Sequence, residues 1–193
     1  VLFAIGIIDD KINAPAWLKF FIQIISCCLF ILISNNYIVL DFLFPNIHFI
    51  SFLSTLFFML SIINAINFID GLDGLASSLS IITLVSLSLL LETFLHVNLI
   101  FILIGATFAF LINNIRPAYV FLGDSGSYIL GYSVGVFSVF FLSNQEADLT
   151  GIFYLLLIVG IPVIDIVYVL ATRLIKNKRI YIADKKHLHH QML

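Results

Sequence analysis

Six long apolar stretches between Trp17 and Thr172 constrain this sequence more than any other feature. Each is about as long as the roughly 20 residues that an α-helix needs to cross the hydrocarbon core of a bilayer. Hydrophobic residues make up 62% of the chain and charged residues only 10%, and the mean hydropathy is +1.16. This composition excludes a soluble domain and predicts an all-α fold, a polytopic integral membrane helical bundle.

We expect about six full transmembrane helices and the end of a truncated helix at residues 1–8, all in one membrane-embedded domain over residues 1–193. Turn formers and charged residues give the bounds of the six helices, which are 17–34, 49–66, 75–91, 98–112, 125–142 and 151–172. The sequence opens within an apolar run at Val1 rather than at Met, and it stops soon after a histidine cluster. We therefore expect a fragment that lacks helices on its N- and C-terminal sides.

The cationic residues show which way the bundle faces. When the six helices are threaded alternately up and down, all nine Lys and Arg residues fall on one side, namely Lys11, Lys19, Arg116, Arg173, Lys176, Lys178, Arg179, Lys185 and Lys186. The positive-inside rule identifies that side as cytoplasmic. The densest Asp and His motifs share it, so we predict a multi-pass protein of the cytoplasmic (inner) membrane with an active site that faces the cytoplasm.

Asp9 and Asp10 place two carboxylates side by side where a helix leaves the membrane. Adjacent like charges in a partly dehydrated place repel each other, so a divalent cation, a cationic side chain or proton uptake is expected there. The alternative is a solvated helix end without a chemical role.

Residues 67–74 form the most specific motif of the chain. Asp70 and Asp73 are three positions apart and would share one face if this turn were helical, while Gly71 and Gly74 would let a ligand approach the backbone. Carboxylate and amide oxygens suit Mg²⁺, which bridges to substrate phosphates. A helix cap followed by a tight turn is the plain structural alternative.

The third motif surrounds Asp124, at the start of the predicted helix 125–142. Asp124 or Ser125 would make a good N-cap, and that structural role alone would explain the motif. A helix N-terminus also attracts phosphate through its free backbone N–H groups. We expect that a metal at Asp124 and a phosphate at these N–H groups would be compatible.

The C-terminal segment combines cations with His187, His189 and His190. Histidine can donate hydrogen bonds to phosphate oxygens or carry a proton near neutral pH, and a cluster beside Lys185 suits a diphosphate. Binding of anionic lipid headgroups is the alternative for the basic residues. No thiolate accompanies the histidines, which argues against a zinc site.

Taken together and in this order, four motifs resemble those of the polyprenyl-phosphate N-acetylhexosamine-1-phosphate transferases, a branch of glycosyltransferase family 4. They are GIIDD at 6–10, NAINFIDGLDGLA at 64–76, FLGDSGS at 121–127 and DKKHLHH at 184–190. The resemblance implies an integral membrane enzyme that transfers a sugar 1-phosphate from a UDP-N-acetylhexosamine to a polyprenyl phosphate lipid and releases UMP. It also implies Mg²⁺, with Mn²⁺ as a substitute, contact with membrane lipids and no nucleic acid, and it leaves a homodimer open.

The resemblance also implies residue roles. Catalytic roles fall to seven residues, namely Asp9, Asp10, Asp70, Asp73, His187, His189 and His190. Metal binding falls to Asp124 and Asn67, and substrate binding falls to Gly71, Leu72, Asn114 and Lys185. Asp9 or Asp10 would take a proton from the lipid phosphate, whose oxygen would attack the β-phosphorus of the UDP-sugar directly. A two-step route through an aspartyl intermediate stays open.

The last motif favours one branch of the family. Leu188 interrupts the histidines, which resembles the undecaprenyl-phosphate GlcNAc-1-phosphate transferases that start O-antigen, enterobacterial common antigen or teichoic acid assembly. Phospho-MurNAc-pentapeptide transferases of peptidoglycan synthesis, which usually show three consecutive histidines, are the alternative. A membrane transporter and an aromatic-acceptor prenyltransferase are rivals from outside the family, although here the acids gather at one membrane face instead of the midplane.

Overall fold

The computed structural model describes residues 1–12, 14–34, 47–115 and 117–144, together with the isolated residues 151, 153, 156 and 160. Six helices account for nearly all of this part of the chain. They are α1 (Leu2–Ile12), α2 (Ala16–Ser34), α3 (His48–Ile69), α4 (Leu75–Leu90), α5 (Phe94–Asn114) and α6 (Gly123–Asn144). The described residues contain no strand, and the predicted all-α helical bundle is confirmed.

Four of the helices are long and apolar enough to cross a membrane, namely α2, α3, α5 and α6. α4 is apolar but has 16 residues, a length of about 24 Å at 1.5 Å per residue. Large apolar side chains stay exposed along the helices, which suits a surface that faces lipid. Examples are Phe57, Leu89, Phe94, Phe101 and Ile112. The chain is therefore a multi-pass membrane protein.

The predicted helix bounds are close to the observed ones, with corrections at the polar ends. The truncated helix was expected over residues 1–8, and this bound is wrong because α1 continues to Ile12. α3 continues past the predicted 66 to Ile69, and α6 extends to Asn144. Asp10 of α1 and Asn67 of α3 hydrogen-bond to α6, so each helix continues through these polar residues instead of ending at them. Of the sixth predicted span, residues 151, 153, 156 and 160 are helical, and its other residues lie outside the described ones.

α6 is the central helix of the described bundle, and it packs against α1, α3 and α4. Glycines make two of these approaches close, as small residues do between membrane helices. A Cβ on Gly6 of α1 would collide with the backbone of Ser125, and a Cβ on Gly131 would lie 2.7 Å from the Cα of Ile63 in α3. The buried Leu130 and Val134 of α6 then fill the core between α3 and α4.

A buried polar pair joins α2 to α3. Asn64 donates a hydrogen bond from Nδ2 to Oε1 of Gln23 at 2.8 Å, and Gln23 is buried. In an apolar bundle this bond satisfies groups that would otherwise be left without a partner, so it helps to set the register of the two helices.

We expect Gly131→Ala to lower the midpoint of thermal unfolding in detergent, because the added methyl group overlaps the backbone of α3. The cost is on the order of 1–3 kcal/mol, as for other overpacked sites. Gly105→Ala is the matched control, because a Cβ on Gly105 has no neighbour within 4 Å and alanine favours a helix. Equal midpoints for the two variants would contradict the close α3–α6 packing.

Candidate active site at one end of the bundle

The polar ends of four helices meet at one end of the bundle. α1 ends there and α2 begins there, while α3 ends and α6 begins at the same end. Hydrogen bonds and ion pairs connect Asp9, Asp10, Lys19, Asn67 and Asp124 into one cluster. The structure thus brings together predicted site residues that lie far apart in the sequence, and it adds Lys19 to them.

Lys19 bridges two carboxylates from different helices. Its Nζ donates to Oδ2 of Asp9 at 2.7 Å and to Oδ2 of Asp124 at 3.3 Å. Its side chain is 25% exposed, so water screens these contacts only in part. Sequence reasoning treated Lys19 as one of nine cations of the membrane face and missed this position. The signal was a lone cation in the first turn of a spanning helix, shortly after an Asp pair.

The Asp124 carboxylate accepts hydrogen bonds from two further side chains besides the ammonium ion. Asn67 donates from Nδ2 to Oδ1 at 2.9 Å, and the hydroxyl of Tyr128 donates to Oδ2 at 3.1 Å. Asn67 also donates to the hydroxyl of Ser127 at 2.8 Å. The two donors to Asp124 come from α3 and from the next turn of α6, so they hold the carboxylate in one orientation. Asn67 therefore presents its amide nitrogen to Asp124, and it supports this carboxylate.

Asp10 lies at the N-terminus of α6. Its carboxylate accepts from the backbone N–H of Asp124 at 2.9 Å and of Ser125 at 3.3 Å, and from the Ser125 hydroxyl at 2.8 Å. Gly123 has a φ of +64°, and a Cβ there would lie 2.9 Å from this carboxylate. A glycine is therefore needed for both the backbone conformation and the space.

These contacts correct the expectation for the start of α6. The sequence suggested Asp124 or Ser125 as the N-cap and free N–H groups as a phosphate site. Instead Asp10, a residue of α1, accepts from the N–H groups of residues 124 and 125. A carboxylate and a phosphate oxygen use the same donors, so the expected phosphate position is filled by a side chain of the protein.

Asp9 has one satisfied oxygen and one that is not. Oδ2 accepts from Lys19, whereas the buried Oδ1 has no hydrogen-bond partner among the described residues. A buried carboxylate oxygen without a partner is costly, so its presence at a candidate site indicates that a ligand or a proton belongs there.

The sequence left the segment 70–74 open between a helical turn and a tight turn, and the structure shows the tight turn. Residues 70–74 form a turn after α3, and Gly74 has a φ of +78°. Asp70 and Asp73 consequently do not share a helix face. Asp70 is half-buried, whereas Asp73 and Gly71 are exposed and Leu72 is half-buried.

Asn114 holds this turn in place from the end of α5. Its Oδ1 accepts from the backbone N–H of Gly74 at 3.0 Å and from the hydroxyl of Ser77 at 3.1 Å. Its Nδ2 donates to the backbone oxygen of Val120 at 2.8 Å. Asn114 is buried, and the structure gives it three partners within the protein. The structure therefore shows it as a support of two loops.

The carboxyl group of Asp70 has an unusual pKa. Burial and the nearby negative charge of Asp124 raise the pKa of Asp70 to about 7, although a backbone hydrogen bond from Gly123 acts in the opposite direction. Asp70 can therefore take up or release a proton near neutral pH, as a group at an active site often does.

The residues present fit the magnesium ion that the resemblance implies. Asp9 and Asp124 face each other across Lys19, and Asp9 keeps one buried oxygen without a partner. Mg²⁺ is typically bound by one or two carboxylates, and phosphates and water complete its ligands. No group of three or more His, Cys, Asp or Glu side chains arranged for a metal occurs in the described part of the chain.

Lys185, His187, His189 and His190 lie outside the described residues. Their predicted roles stay predictions.

The geometry agrees with the result of sequence comparison. The sequence pattern of the family described as "Glycosyl transferase family 4" matches residues 1–142, well over half of the 193 residues. The chain belongs to glycosyl transferase family 4. The matched part includes α1 to α5 and all but the last two residues of α6, and therefore the whole polar cluster described above.

Curated relatives match shorter stretches of the chain. The probable undecaprenyl-phosphate N-acetylglucosaminyl 1-phosphate transferase of Bacillus subtilis is 33% identical over 97 residues, which are 50% of this chain and 27% of that protein. The undecaprenyl-phosphate alpha-N-acetylglucosaminyl 1-phosphate transferase of Thermotoga maritima is 40% identical over 77 residues, 40% of this chain and 24% of that protein. The phospho-N-acetylmuramoyl-pentapeptide-transferase of Thermotoga neapolitana is 38% identical over 96 residues, 50% of this chain and 30% of that protein. The chain thus spans less than a third of each relative's length.

We expect Asp10→Ala to lower the free energy of unfolding by about 1–2 kcal/mol, because the N–H groups at the start of α6 lose their acceptor. Thermal unfolding in detergent measures the change. Asp73→Ala is the matched control, since Asp73 is exposed in a turn. A loss for Asp10→Ala no larger than that for Asp73→Ala would show that the carboxylate of Asp10 does not stabilise α6.

The raised pKa of Asp70 predicts a pH dependence of stability in the absence of divalent cations. Between 3.8, the ordinary pKa of an aspartate, and about 7 the folded state holds a proton that the unfolded state releases, so stability falls as the pH rises through this range. Thermal unfolding in EDTA should show Asp70→Asn more stable than wild type by roughly 1–2 kcal/mol at pH 8, after allowance for solvent screening, and nearly equal to it at pH 4. Asp73→Asn should follow wild type at both pH values. Parallel curves for wild type and Asp70→Asn would contradict the raised pKa.

Proposed function

We propose that this protein transfers N-acetylhexosamine 1-phosphate from a UDP-sugar, with UDP-N-acetylglucosamine as the donor, to undecaprenyl (polyprenyl) phosphate and releases UMP. The reaction would start the synthesis of a cell-envelope polysaccharide. It would take place at the cytoplasmic face of the inner membrane. Family membership supports transfer chemistry, and the names of the Bacillus and Thermotoga maritima relatives support a polyprenyl phosphate acceptor and an N-acetylglucosaminyl 1-phosphate group.

The observation that carries the proposal is the cluster of Asp9, Lys19, Asn67 and Asp124 at one end of an apolar bundle. The phosphate of a polyprenyl lipid lies at the membrane surface, while its chain stays among apolar side chains. A water-soluble nucleotide sugar approaches from the aqueous side of that surface. A site where helices leave the membrane, with a lysine and carboxylates that would hold a divalent cation, is therefore where the two anionic substrates can meet.

In the direct version of the reaction, an oxygen of the lipid phosphate attacks the β-phosphorus of the UDP-sugar. The bond between the β-phosphorus and the bridging oxygen breaks, and UMP leaves with that oxygen. Asp9 suits the role of proton acceptor better than Asp10. The carboxylate of Asp10 is occupied by the N–H groups of α6, whereas Asp9 keeps a buried oxygen without a partner.

Bound Mg²⁺ would offset the negative charge of the diphosphate and stabilise the leaving group. Asp124, with Asp9 beside it, would hold the ion, while Asn67 and Tyr128 keep the Asp124 carboxylate oriented. The histidines at 187, 189 and 190 would hold diphosphate oxygens, and Lys185 would contribute to substrate binding. Because Asp9, Asp124, Asn67 and Tyr128 are placed before the substrates arrive, positioning would supply much of the rate.

A second candidate function is phospho-MurNAc-pentapeptide transfer in peptidoglycan synthesis. It is favoured by the 38% identity over 96 residues to the Thermotoga neapolitana enzyme of that name. The two functions share the acceptor and the chemistry, and they differ in the sugar donor alone.

The test is to incubate membranes containing the full-length protein with undecaprenyl phosphate and a panel of UDP-sugars, including UDP-MurNAc-pentapeptide, and to measure Mg²⁺-dependent UMP release. We expect release with UDP-N-acetylglucosamine. Release with the pentapeptide donor alone would establish the second candidate, and no release with any donor would favour a transporter. Trapping of a phosphorylated aspartate would overturn direct attack in favour of the two-step route.

We expect Asp124→Asn to lower the rate of UMP release by about 100-fold or more, since a charge that stabilises the transition state is lost. Glu92→Gln is the matched control, because Glu92 is exposed beyond the C-terminal end of α4, at the opposite end of the bundle. Its rate should equal that of wild type. If Asp124→Asn released UMP at the wild-type rate, the cluster would have no role in the reaction.

A further inference from the structure

The position of Lys19 between two carboxylates has a consequence for metal binding. Its ammonium group lies 2.7 Å from Oδ2 of Asp9 and 3.3 Å from Oδ2 of Asp124. Lys19 comes from α2, while its partners come from α1 and α6. The two oxygens that face each other across the site therefore share one cation, which is covalently part of the protein.

A divalent cation bound by this carboxylate pair would need an oxygen of Asp124 as well as one of Asp9, and only Oδ1 of Asp9 lacks a hydrogen-bond partner among the described residues. Both Oδ2 atoms are directed at the ammonium group, and Oδ1 of Asp124 is engaged by Asn67. A metal ion and an ammonium group cannot occupy one position, and their like charges repel at this distance. Lysine is flexible, with a compact charge on a long stem, so it can leave the position without a change in the backbone.

We propose that Lys19 is a built-in competitor of the divalent cation. It neutralises Asp9 and Asp124 while the metal is absent, and metal binding moves its ammonium group away from these two carboxylates. The inference rests on the proposed function for the identity of the metal site. It goes beyond that function in making metal binding and the position of Lys19 mutually exclusive, which lowers the affinity for the metal and prevents repulsion between the carboxylates in the metal-free protein.

The first test measures Mn²⁺ binding to the purified full-length protein by electron paramagnetic resonance, without substrates. We expect Lys19→Gln to lower the Kd for Mn²⁺ about tenfold relative to Lys11→Gln. Lys11 is the matched control because it is an exposed lysine at the same end of the bundle, so both variants lose one positive charge. Lys19→Arg should bind less tightly than Lys19→Gln. A Kd for Lys19→Gln equal to or higher than that of Lys11→Gln would overturn the proposal.

A second measurement uses the wild-type protein, and it decides the matter even if Lys19→Gln fails to fold. Brief acetylation of lysines followed by mass spectrometry reports how available each amine is. We expect saturating Mn²⁺ to raise the labelling of Lys19 several-fold and to leave that of Lys11 unchanged. Unchanged or reduced labelling of Lys19 would overturn the proposal.

Neither measurement depends on transferase activity. Competition between Lys19 and Mn²⁺ in a protein that releases no UMP would disprove the proposed function and leave this inference intact. UMP release by a protein in which Lys19 and Mn²⁺ do not compete would support the proposed function and overturn this inference.

Discussion

The bridge from Lys19 to Asp9 and Asp124 is the interaction on which this end of the bundle depends. Two partly dehydrated carboxylates, one from α1 and one from α6, repel each other. One ammonium group changes this repulsion into an attraction that joins α1, α2 and α6. The cost of bringing charges to the membrane boundary is offset only while a cation is present. Whatever replaces Lys19 must therefore also be positive.

At the start of α6 a carboxylate is also balanced by a partner, but here the partner is not a cation. Asp10 is next to Asp9 in the sequence, yet its charge is balanced by the N–H groups at the end of a helix. The two neighbouring carboxylates thus have different partners. Asp10 is paired with backbone N–H groups and stabilises the start of α6, whereas Asp9 is paired with Lys19 at one oxygen and keeps a second, buried oxygen without a partner among the described residues. Close approach at Gly6 makes this arrangement possible, since a side chain there would overlap the backbone of Ser125 and push α1 away from α6.

Much of the fold could be predicted from the sequence because membrane helices depend on long apolar runs, and these are visible directly. The gathering of acids at one end could also be anticipated, since helix lengths and chain direction dictate which ends meet. The contacts themselves could not. Lys19 pairs with Asp124 across 105 positions, and Asp10 replaces the expected local N-cap of α6. The shape of the turn after α3 could not be decided from the sequence for a related reason, because the distant residue Asn114 accepts a hydrogen bond from its backbone.

Asn114 carries a further implication for how this architecture can diverge. A single amide group connects the turn before α4 to the loop before α6 through Gly74 and Val120. The two connections behave as one mechanical unit, so an insertion in either would displace the other and, with it, the carboxylates of Asp70 and Asp124. Variation in loop length at this end of the bundle should accordingly be correlated between the two connections rather than independent.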